Sequence, residues 1–468
     1  MGHNYDLAII GAGSAGYAAA RTASSSGLHT ALIEAAPQLG GLCILRGCMP
    51  SKSLIESANR ILTIQSAHKF GIHCSPPQPI LSQIIARKRR LIAEFASYRQ
   101  NQLHNGPFHL IRGHASFLDP FTLSIQPLNQ SPPTILSARS FIIATGSRQS
   151  IPPIPGLSNS GALTSDDILD TEQLPKSIIF LGAGPVSLEM AHYTAALGVN
   201  VTILQRSPQI LKTLDLDVTS VLEEAFLKRG IKIFKNTKIL SISHTPNNQK
   251  IVRFTQNGST FELAAEAVFN GLGRTPATQN LGLEKIGVTL NNNSIKTSLT
   301  QQTSLPHIFA AGDACGPHEV VHIAINQAEI AARNAHRILN NSQPLEQFDP
   351  RLFLFAIFTE PQIAVAGLTE HQARSHGLNT VSASYPFNDH GKSLIMDETF
   401  GFVKLIADRN SREILGAATV GPHASELIHE IIVAIALRAT TTQLAKIPHY
   451  HPTLSEIWTY PAEELSTP

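Results

Sequence analysis

Residues 40–52 read GGLCILRGCMPSK and hold two of the four cysteines of this 468-residue chain. Cys43 and Cys48 are five positions apart, and an ideal helix would separate their Cα atoms by about 8–9 Å, whereas a disulfide needs about 7 Å or less. If the two pair, the backbone is distorted, and a strained, accessible disulfide is the reducible, catalytic kind. The alternative is a pair of buried cysteines that are not bonded. Pro50 suits the first turn of a helix, so we predict a loop that runs into a helix.

A short apolar strand, Tyr5–Ile10, runs directly into a glycine-rich turn and an alanine-rich helix, predicted to begin near Tyr17. A second apolar strand follows and ends at Glu34. Together these elements form a dinucleotide-binding unit, in which the glycines let a pyrophosphate approach the helix N-terminus and the acid holds a ribose. The glycines of the turn are Gly11, Gly13 and Gly16.

The same unit recurs later in the chain. An apolar strand leads into Gly182 and Gly184, and a helix and a second strand follow. Ser187 replaces the third glycine of the first unit, which is a small change in size. The repeat predicts two nucleotide sites in one chain.

The second unit lacks the terminal acid. Gln205 lies 23 positions after Gly182, as Glu34 lies 23 positions after Gly11, and Arg206 follows Gln205. Loss of the acid removes repulsion of a 2′-phosphate, and an arginine can bind that phosphate. The pair therefore favours NADP, and the alternative is an arginine on a solvated loop.

Composition and charge argue against several classes of protein. The length predicts about three domains, and a formal net charge of +2 gives no indication of a nucleic-acid or membrane-surface partner. No apolar run reaches the ~18 residues of a membrane span, and a strand pattern begins at Tyr5. We therefore expect neither a signal peptide nor a membrane span but a cytoplasmic location, where a disulfide is usually catalytic or redox-sensing.

With a cysteine pair between two nucleotide units, the chain resembles the flavoprotein disulfide reductases, the class I pyridine nucleotide-disulfide oxidoreductases. This family includes dihydrolipoyl dehydrogenase, glutathione reductase and mercuric reductase. The resemblance covers nearly the whole length. It also rests on five short motifs in the family's order, which are residues 144–147 (ATGS), 273–276 (GRTP), 311–313 (AGD), 358–361 (FTEP) and 451–456 (HPTLSE).

The resemblance implies an α/β fold with two Rossmann-like domains, one for FAD and one for NAD or NADP, and a C-terminal α+β dimerisation domain. The expected bounds are 1–150 for the FAD domain, 151–272 for the NAD(P) domain, 273–345 for a return to the FAD domain and 346–468 for the dimerisation domain. The residues that resemble cofactor contacts are Gly11, Gly13, Gly16, Glu34, Lys52, Thr145, Gly146, Gly182, Gly184, Glu189, Gln205, Arg206, Gly273, Gly312 and Asp313.

The family's redox centre corresponds to the cysteine segment. The resemblance implies that Cys43 and Cys48 form a redox-active disulfide, with Cys48 facing the flavin and Cys43 exchanging with the substrate. Lys52 resembles a lysine near the flavin that is ion-paired with a glutamate, here Glu189. A cation at that place would stabilise negative charge on the reduced flavin.

A C-terminal histidine completes the expected site. Thiol–disulfide exchange needs a thiolate and an acceptor for its proton, and a histidine oriented by a carboxylate provides this near neutral pH. The family motif singles out His451 and Glu456 from the 20 histidines and many acids of the chain. In the family this dyad reaches the disulfide of the other subunit, which implies a homodimer with shared active sites.

Residues 50–52 (PSK) and the HPTLSE motif favour the dihydrolipoyl and mercuric branches of the family. The chain lacks the C-terminal cysteine pair of the mercuric branch, so we expect a dihydrolipoyl dehydrogenase-like enzyme acting on a small dithiol or disulfide such as lipoamide. Leu42 and Leu45 depart from the family, which has polar residues there. We expect Cys74 and Cys315 to be structural thiols, and no metal.

Two alternatives remain open at this point. One is an NADPH-dependent reductase of another disulfide or oxidant, which the pair Gln205 and Arg206 favours. The other is a non-catalytic flavoprotein that binds a partner through its dimer domain, which the set Cys43, Cys48, His451 and Glu456 argues against.

Overall fold

The computed structural model of the chain describes residues 3–247 and 249–466. These residues form two compact units. The first comprises the residues up to Pro50 together with Arg87–Ser150 and Gly273–Asp349, and the second comprises Ser51–Ala86, Ile151–Leu272 and the residues from Pro350 onward. Each unit is therefore assembled from separated segments of the chain.

A parallel sheet forms the centre of the first unit. Its inner strands are continuous apolar runs, as expected where both faces of a sheet are covered, and Leu7 and Ile9 are fully buried. The strand order is the one typical of a dinucleotide-binding domain. In spatial order the parallel strands are His109–Asp119, Thr30–Glu34, Tyr5–Ile10, Thr134–Ile143 and Ile308–Ala310.

Helices and short antiparallel ladders complete the first unit. Thr122–Pro127 pairs with the outer halves of two strands of the sheet and makes an antiparallel meander with them. The helices are Ser14–Ser25, Gly41–Leu45, Val321–Leu339 and the single turn Gly312–Ala314. The short ladders pair Ser147–Gln149 with Arg274–Pro276, and Leu290–Asn291 with Ser294–Ile295.

The second unit begins with the repeated nucleotide-binding fold. Its four parallel strands are, in spatial order, Ala267–Asn270, Ser177–Leu181, Asn200–Leu204 and Lys232–Phe234. An antiparallel meander follows, made of Thr237–His244, Lys250–Gln256 and Ser259–Ala265. The helices are Ser165–Asp170, Pro185–Ala196 and Leu216–Lys228. Two longer helices flank the turn Ala67–Phe70. Cys48–Ser66 belongs to the second unit from Ser51 onward, and Leu81–His104 belongs to the first unit from Arg87 onward.

The C-terminal part of the second unit is a separate antiparallel sheet with helices. Trp458 is fully buried in its core, and its indole N–H donates to the carbonyl of Leu427 at 3.0 Å. In spatial order the strands are Leu354–Ile357, Gln362–Gly367, Ile414–Gly421, Phe402–Asp408 and Thr380–Pro386. The helices and helical turns are Pro350–Leu352, Glu370–Ser375, Phe387–Asp389, Gly391–Met396, Ala424–Ala436, Thr441–Lys446, Ser455–Trp458 and Thr459–Ser466.

The predicted fold class, two Rossmann-like folds and a C-terminal α+β domain, is confirmed. Among residues 3–247 and 249–466, no helix combines the length and apolar character that crossing a membrane requires. Within the same residues, no group of three or more His, Cys, Asp or Glu side chains is arranged to hold a metal ion.

Candidate active site

The first glycine turn forms an open cradle at the start of a helix. Gly13 caps the helix Ser14–Ser25, which begins three residues before the predicted Tyr17. A Cβ atom at Gly16 would overlap the carbonyl oxygen of Gly11, so the helix and the turn approach as closely as glycine allows. No described atom lies within 4 Å of a Cβ placed at Gly13. This open space at a helix N-terminus fits a pyrophosphate.

Glu34 is fixed beside this cradle by backbone donors. Its Oε2 accepts a hydrogen bond from Ala12 N at 2.7 Å, and its Oε1 accepts one from Ala36 N at 2.7 Å. The carboxylate therefore lies at the end of its strand and next to the turn, where it can accept hydrogen bonds from ribose hydroxyls.

The second glycine turn has the same geometry, including a hydrogen bond from its backbone to a side chain at the end of the next strand. Gly184 caps the helix Pro185–Ala196, and no described atom lies within 4 Å of a Cβ placed there. Ala183 N donates to Gln205 Oε1 at 3.1 Å, as Ala12 N donates to Glu34. The exposed Arg206 follows. The Gln205 amide thus accepts the same backbone hydrogen bond as the Glu34 carboxylate but carries no charge.

Ser187, the departure at the third glycine, is accommodated by a neighbouring glycine. A Cβ atom at Gly271 would overlap the Oγ atom of Ser187. In the first unit the glycine and the larger residue change places, because Gly16 stands where the second unit has Ser187 and packs against Ala144. The sequence shows the serine but does not identify its partner, because Gly271 lies 84 positions away and outside the sequence motifs.

The cysteine segment packs directly on the first cradle. A Cβ atom at Gly41, whose φ is +75°, would lie 2.8 Å from Gly13 Cα, so only glycine permits this contact. Cys43 lies in the short helix Gly41–Leu45, where we had expected a loop, and Cys48 begins the helix Cys48–Ser66. Both cysteines are partly exposed.

Lys52 and Glu189, which are 137 positions apart, form an ion pair. Lys52 Nζ lies 2.7 Å and 2.9 Å from the two carboxylate oxygens of Glu189, whose side chain is 7% exposed. Phe358 N donates to Glu189 Oε1 at 3.1 Å, and the Phe358 ring lies 4.7 Å from Lys52 Nζ. The ammonium group is thus held by a carboxylate and an aromatic face. The FTEP motif included Phe358, but its contacts could not be read from the sequence.

A second contact, between His192 and Asn59, joins the two helices that carry Glu189 and Lys52. His192, on the helix of Glu189, has its Nε2 2.8 Å from Oδ1 of Asn59, on the helix of Lys52. Burial lowers the pKa of His192 to about 3, so the ring is neutral. Its Nδ1 accepts from Arg229 at 2.9 Å, and its Nε2–H therefore donates to Asn59.

Asp313 is held in place by a chain of hydrogen bonds. Ser147 Oγ donates to Asp313 Oδ2 at 2.5 Å, and Arg274 Nε donates to the same Ser147 Oγ at 2.7 Å. Gly312 N donates to Gln327 Oε1 at 2.9 Å, which fixes the turn that carries Asp313. Ser147 and Arg274 belonged to motifs, but the sequence gave no indication that they contact each other.

The turn at residues 144–147 (ATGS) contains a buried side-chain hydroxyl. Thr145 Oγ1 is buried and has no hydrogen-bond partner among the described residues. At the neighbouring Gly146, and at Gly273, no described atom lies within 4 Å of an added Cβ. A buried hydroxyl beside open backbone fits a polar ligand group, as the FAD prediction requires.

His451 and Glu456 are in contact, as the motif predicts. His451 Nδ1 lies 3.0 Å from Glu456 Oε2. The histidine side chain is 77% exposed, whereas that of the glutamate is 11% exposed. The pair therefore presents the other imidazole nitrogen, Nε2, to the outside of this chain.

The two remaining cysteines have different surroundings. Cys315 is buried, its Sγ donates to Gly312 O at 3.2 Å, and burial raises the pKa of its thiol to about 12. It therefore stays protonated at neutral pH. Cys74 is exposed, and its Sγ lies 3.6 Å from Ile64 O.

Comparisons with known proteins agree with this architecture. Residues 5–328 match the model of the pyridine nucleotide-disulphide oxidoreductase family, and residues 355–462 match the dimerisation domain of that family. The chain is 34% identical to dihydrolipoyl dehydrogenase of Bacillus subtilis, over 97% of both chains. It is 35% identical to that of Mycobacterium tuberculosis, over 97% of this chain and 96% of the relative.

Solved structures give the same picture. LpdA from Mycobacterium tuberculosis matches with a TM-score of 0.87 and 28% identity, over 98% of this chain and 99% of that one. The Cu(II) complex of the HOCl-induced flavoprotein disulfide reductase RclA from Escherichia coli matches with a TM-score of 0.85 and 25% identity, over 99% of this chain and 100% of that one.

Proposed function

The chain belongs to the pyridine nucleotide-disulphide oxidoreductase family, and we propose that Cys43 and Cys48 form its redox-active disulfide. It is a flavoprotein oxidoreductase of the dihydrolipoyl dehydrogenase type, which uses FAD and NAD(H). The enzyme prediction is thereby confirmed against the non-catalytic alternative. The observation that carries the proposal for the cysteines is the packing of Gly41 on Gly13, which places their segment against the first cradle.

The open cradle at Gly13 and the unpartnered Thr145 hydroxyl fit FAD in the first unit. The residues proposed to hold it are Gly11, Gly13, Gly16, Glu34, Thr145, Gly146, Gly273, Gly312 and Asp313. In the second unit, Gly182, Gly184, Gln205 and Arg206 hold the pyridine nucleotide. Bound FAD supplies a two-electron relay between the nicotinamide and the cysteine pair.

The cysteines carry out the exchange with a dithiol substrate, for which we propose dihydrolipoamide. One substrate thiolate attacks Sγ of Cys43, which forms a mixed disulfide and releases Cys48 as a thiolate. The second substrate thiolate then attacks the substrate sulfur of the mixed disulfide and releases Cys43. The substrate leaves as a cyclic disulfide that has lost two electrons, and the cysteine pair has gained them.

His451 takes up the proton of the attacking thiol at Nε2, because Nδ1 is directed at Glu456. The match of residues 355–462 to the dimerisation domain supports a homodimer. Since His451 is 77% exposed in one chain, we propose that it serves the cysteine pair of the partner subunit.

The pair Lys52 and Glu189 has an electrostatic role in this proposal. The carboxylate holds the ammonium group in one place, so a fixed positive charge is available to a reduced, anionic cofactor without reorganisation. The Phe358 backbone N–H fixes the carboxylate in turn.

Oxidation of dihydrolipoamide, measured in parallel with NAD⁺ and NADP⁺, tests the function. We expect turnover by the wild type and none by Cys48→Ser, because that variant cannot form the disulfide. Cys48→Ser should still bind FAD, which its visible absorbance reports. Cys74→Ser is the matched control, because Cys74 is exposed and outside the site, and it should keep wild-type turnover.

Two outcomes would contradict the proposal. Full lipoamide turnover by Cys48→Ser would remove the cysteines from the mechanism. Failure of dihydrolipoamide to reduce the wild type, while NADH or NADPH still reduces its flavin, would discard the substrate and retain the enzyme class.

An NADPH-dependent reductase of another disulfide is the second candidate, favoured by the exposed Arg206 beside an uncharged Gln205. Faster reduction of the flavin by NADPH than by NADH, together with absent lipoamide turnover, would support it.

A further inference from the structure

The Glu456 carboxylate contacts two histidines, one at each oxygen. His451 Nδ1 lies 3.0 Å from Oε2, and His390 Nε2 lies 3.5 Å from Oε1. The two imidazoles have opposite surroundings, because the His451 side chain is 77% exposed and the His390 side chain 1% exposed. His390 lies outside the sequence motifs, and no step of the proposed exchange involves it.

His390 is held at one ring nitrogen and faces Glu456 with the other. It precedes the helix Gly391–Met396, and its Nδ1 lies 2.9 Å from Oγ of Ser393 in that helix. Its Nε2 is buried, makes no hydrogen bond among the described residues, and lies 3.5 Å from Glu456 Oε1, which is a charge–dipole contact. An anionic carboxylate favours an N–H at the nitrogen that faces it, so Nε2 carries the proton and the Ser393 hydroxyl donates to Nδ1.

The imidazole of His390 is a neutral donor. Burial lowers its pKa, and although Glu456 opposes this shift, the charge of His451 acts in the same direction as burial. The other groups on this side are the Tyr460 ring, 6.2 Å away, and behind it Tyr385, which stacks on Tyr460 and donates to Asp389. His390 therefore presents an N–H to the carboxylate without placing a second positive charge beside His451.

We propose that His390 is a positioning residue for dithiol–disulfide exchange, whose unpartnered Nε2–H closes a hydrogen bond to Glu456 Oε1 in the working enzyme and so keeps Oε2 directed at His451. This inference rests on the proposed role of His451 as the proton acceptor. Without His390, Oε1 loses its buried donor and the carboxylate can turn about its last side-chain bond. His451 then loses the partner that fixes its ring orientation and its tautomer, while the cysteines and the nucleotide turns are untouched.

Two substitutions of similar size separate positioning from packing. His390→Leu fills the same space without a donor, whereas His390→Gln places an amide N–H near the position of Nε2. We expect His390→Leu to be reduced by dihydrolipoamide about 10- to 150-fold more slowly than the wild type, the range for losing one hydrogen bond to a charged group. His390→Gln should recover most of the rate. Reduction of the flavin by NADH should be equal in all three holoenzymes.

The measurement is rapid-mixing absorbance of both half-reactions from pH 6 to pH 9. A change in the pH profile of the dihydrolipoamide step alone, reversed by glutamine, supports the proposal. Equal rates in all three proteins overturn it, and so does an equal defect in the leucine and glutamine variants. Parallel loss of the NADH step would indicate a general structural defect and would also overturn it.

A second measurement does not require a substrate. Diethyl pyrocarbonate modifies accessible imidazoles, and the modification rate of His451, read by peptide mass spectrometry, should fall in His390→Leu and recover in His390→Gln. The exposed His73 serves as the internal reference. If His390→Leu does not fold, Ser393→Ala, which removes the donor to Nδ1, should slow His451 modification in the same direction. An unchanged rate in the variants that fold overturns the positioning role even if dihydrolipoamide proves not to be the substrate.

Discussion

Glu34 and Gln205 show how one atom can change a nucleotide site while the fold is kept. Both side chains accept a hydrogen bond from the backbone N–H of the residue after the first glycine of their turn. The bond needs only a carbonyl-type oxygen, so an amide satisfies it as well as an acid does. The charge is what differs, and a carboxylate would repel a 2′-phosphate whereas an amide does not.

Arg206→Glu should therefore lower the ratio of kcat/KM for NADPH to kcat/KM for NADH. The expected decrease is about 10-fold or more, because a charge-assisted hydrogen bond to phosphate is lost. Steady-state kinetics with both nucleotides measure the ratio, and Arg206→Lys, which keeps the charge, is the control. An unchanged ratio would mean that Arg206 is a solvated side chain with no part in nucleotide choice.

At the level of residues, the sequence motifs predicted which charged side chains form pairs. Lys52 with Glu189, and His451 with Glu456, were predicted as pairs and lie in contact. The partners that hold them were not predicted, because Phe358 acts through its backbone N–H, and His390 reaches Glu456 from 66 positions away. Such contacts depend on how distant strands and helices pack, which no local spacing encodes.

At the level of elements, one buried lysine joins three segments of the second unit. Lys404, on the strand Phe402–Asp408, is 2% exposed, and its Nζ lies 3.0 Å from Asp215, 2.8 Å from Asp217 and 3.8 Å from Glu370. The two aspartates lie at the start of the helix Leu216–Lys228. Asp215 also accepts the backbone N–H of Glu370 at 3.1 Å.

The titration of this cluster should contribute to the pH dependence of stability. Burial alone would raise the pKa of Asp215, but Lys404 and two backbone amides hold it below its ordinary value. A carboxyl whose pKa is lower in the folded state stabilises that state above the unfolded-state pKa. This contribution is lost as the pH falls through the folded-state pKa of Asp215.

Lys404→Met should therefore lower the free energy of unfolding by about 1–3 kcal/mol at pH 7, because it leaves the Asp215 carboxylate, whose side chain is 9% exposed, without its counter-ion. The deficit should narrow at pH 4, where this carboxylate can bind a proton. Urea unfolding at the two pH values and at one protein concentration measures both effects. Lys285→Met, at an exposed position, is the control, and an equal deficit at pH 7 and pH 4 would contradict the assignment.

The regular elements were largely predictable, because their signals are local. The two strand–turn–helix–strand units follow from apolar runs and glycines, and the observed strand Tyr5–Ile10 has the predicted bounds. The helix Gly41–Leu45 was not predicted, since five residues that include a glycine give little helical periodicity. It forms where the chain packs on Gly13, which is a tertiary contact.

At the level of the whole molecule, the region matched by the dimerisation domain exposes apolar side chains that a second copy can cover. Six large apolar residues there are more than half exposed, namely Leu394, Ile395, Val433, Leu437, Ile447 and Tyr450. His451 directly follows Tyr450, so the exposed imidazole lies beside one of them in the chain.

A heterodimer of two inactive variants tests whether the partner subunit completes each site. Cys48→Ser lacks the disulfide but keeps His451, and His451→Gln lacks the histidine but keeps the disulfide, so each homodimer should be nearly inactive. If the histidine serves the partner's cysteines, the heterodimer has one intact site and one doubly defective site, and about half of the wild-type activity returns. Co-expression with two affinity tags and purification on both yields the heterodimer, and dihydrolipoamide oxidation measures it. If each chain instead used its own histidine, both sites of the heterodimer would carry one defect, and the activity would stay at the level of the homodimers.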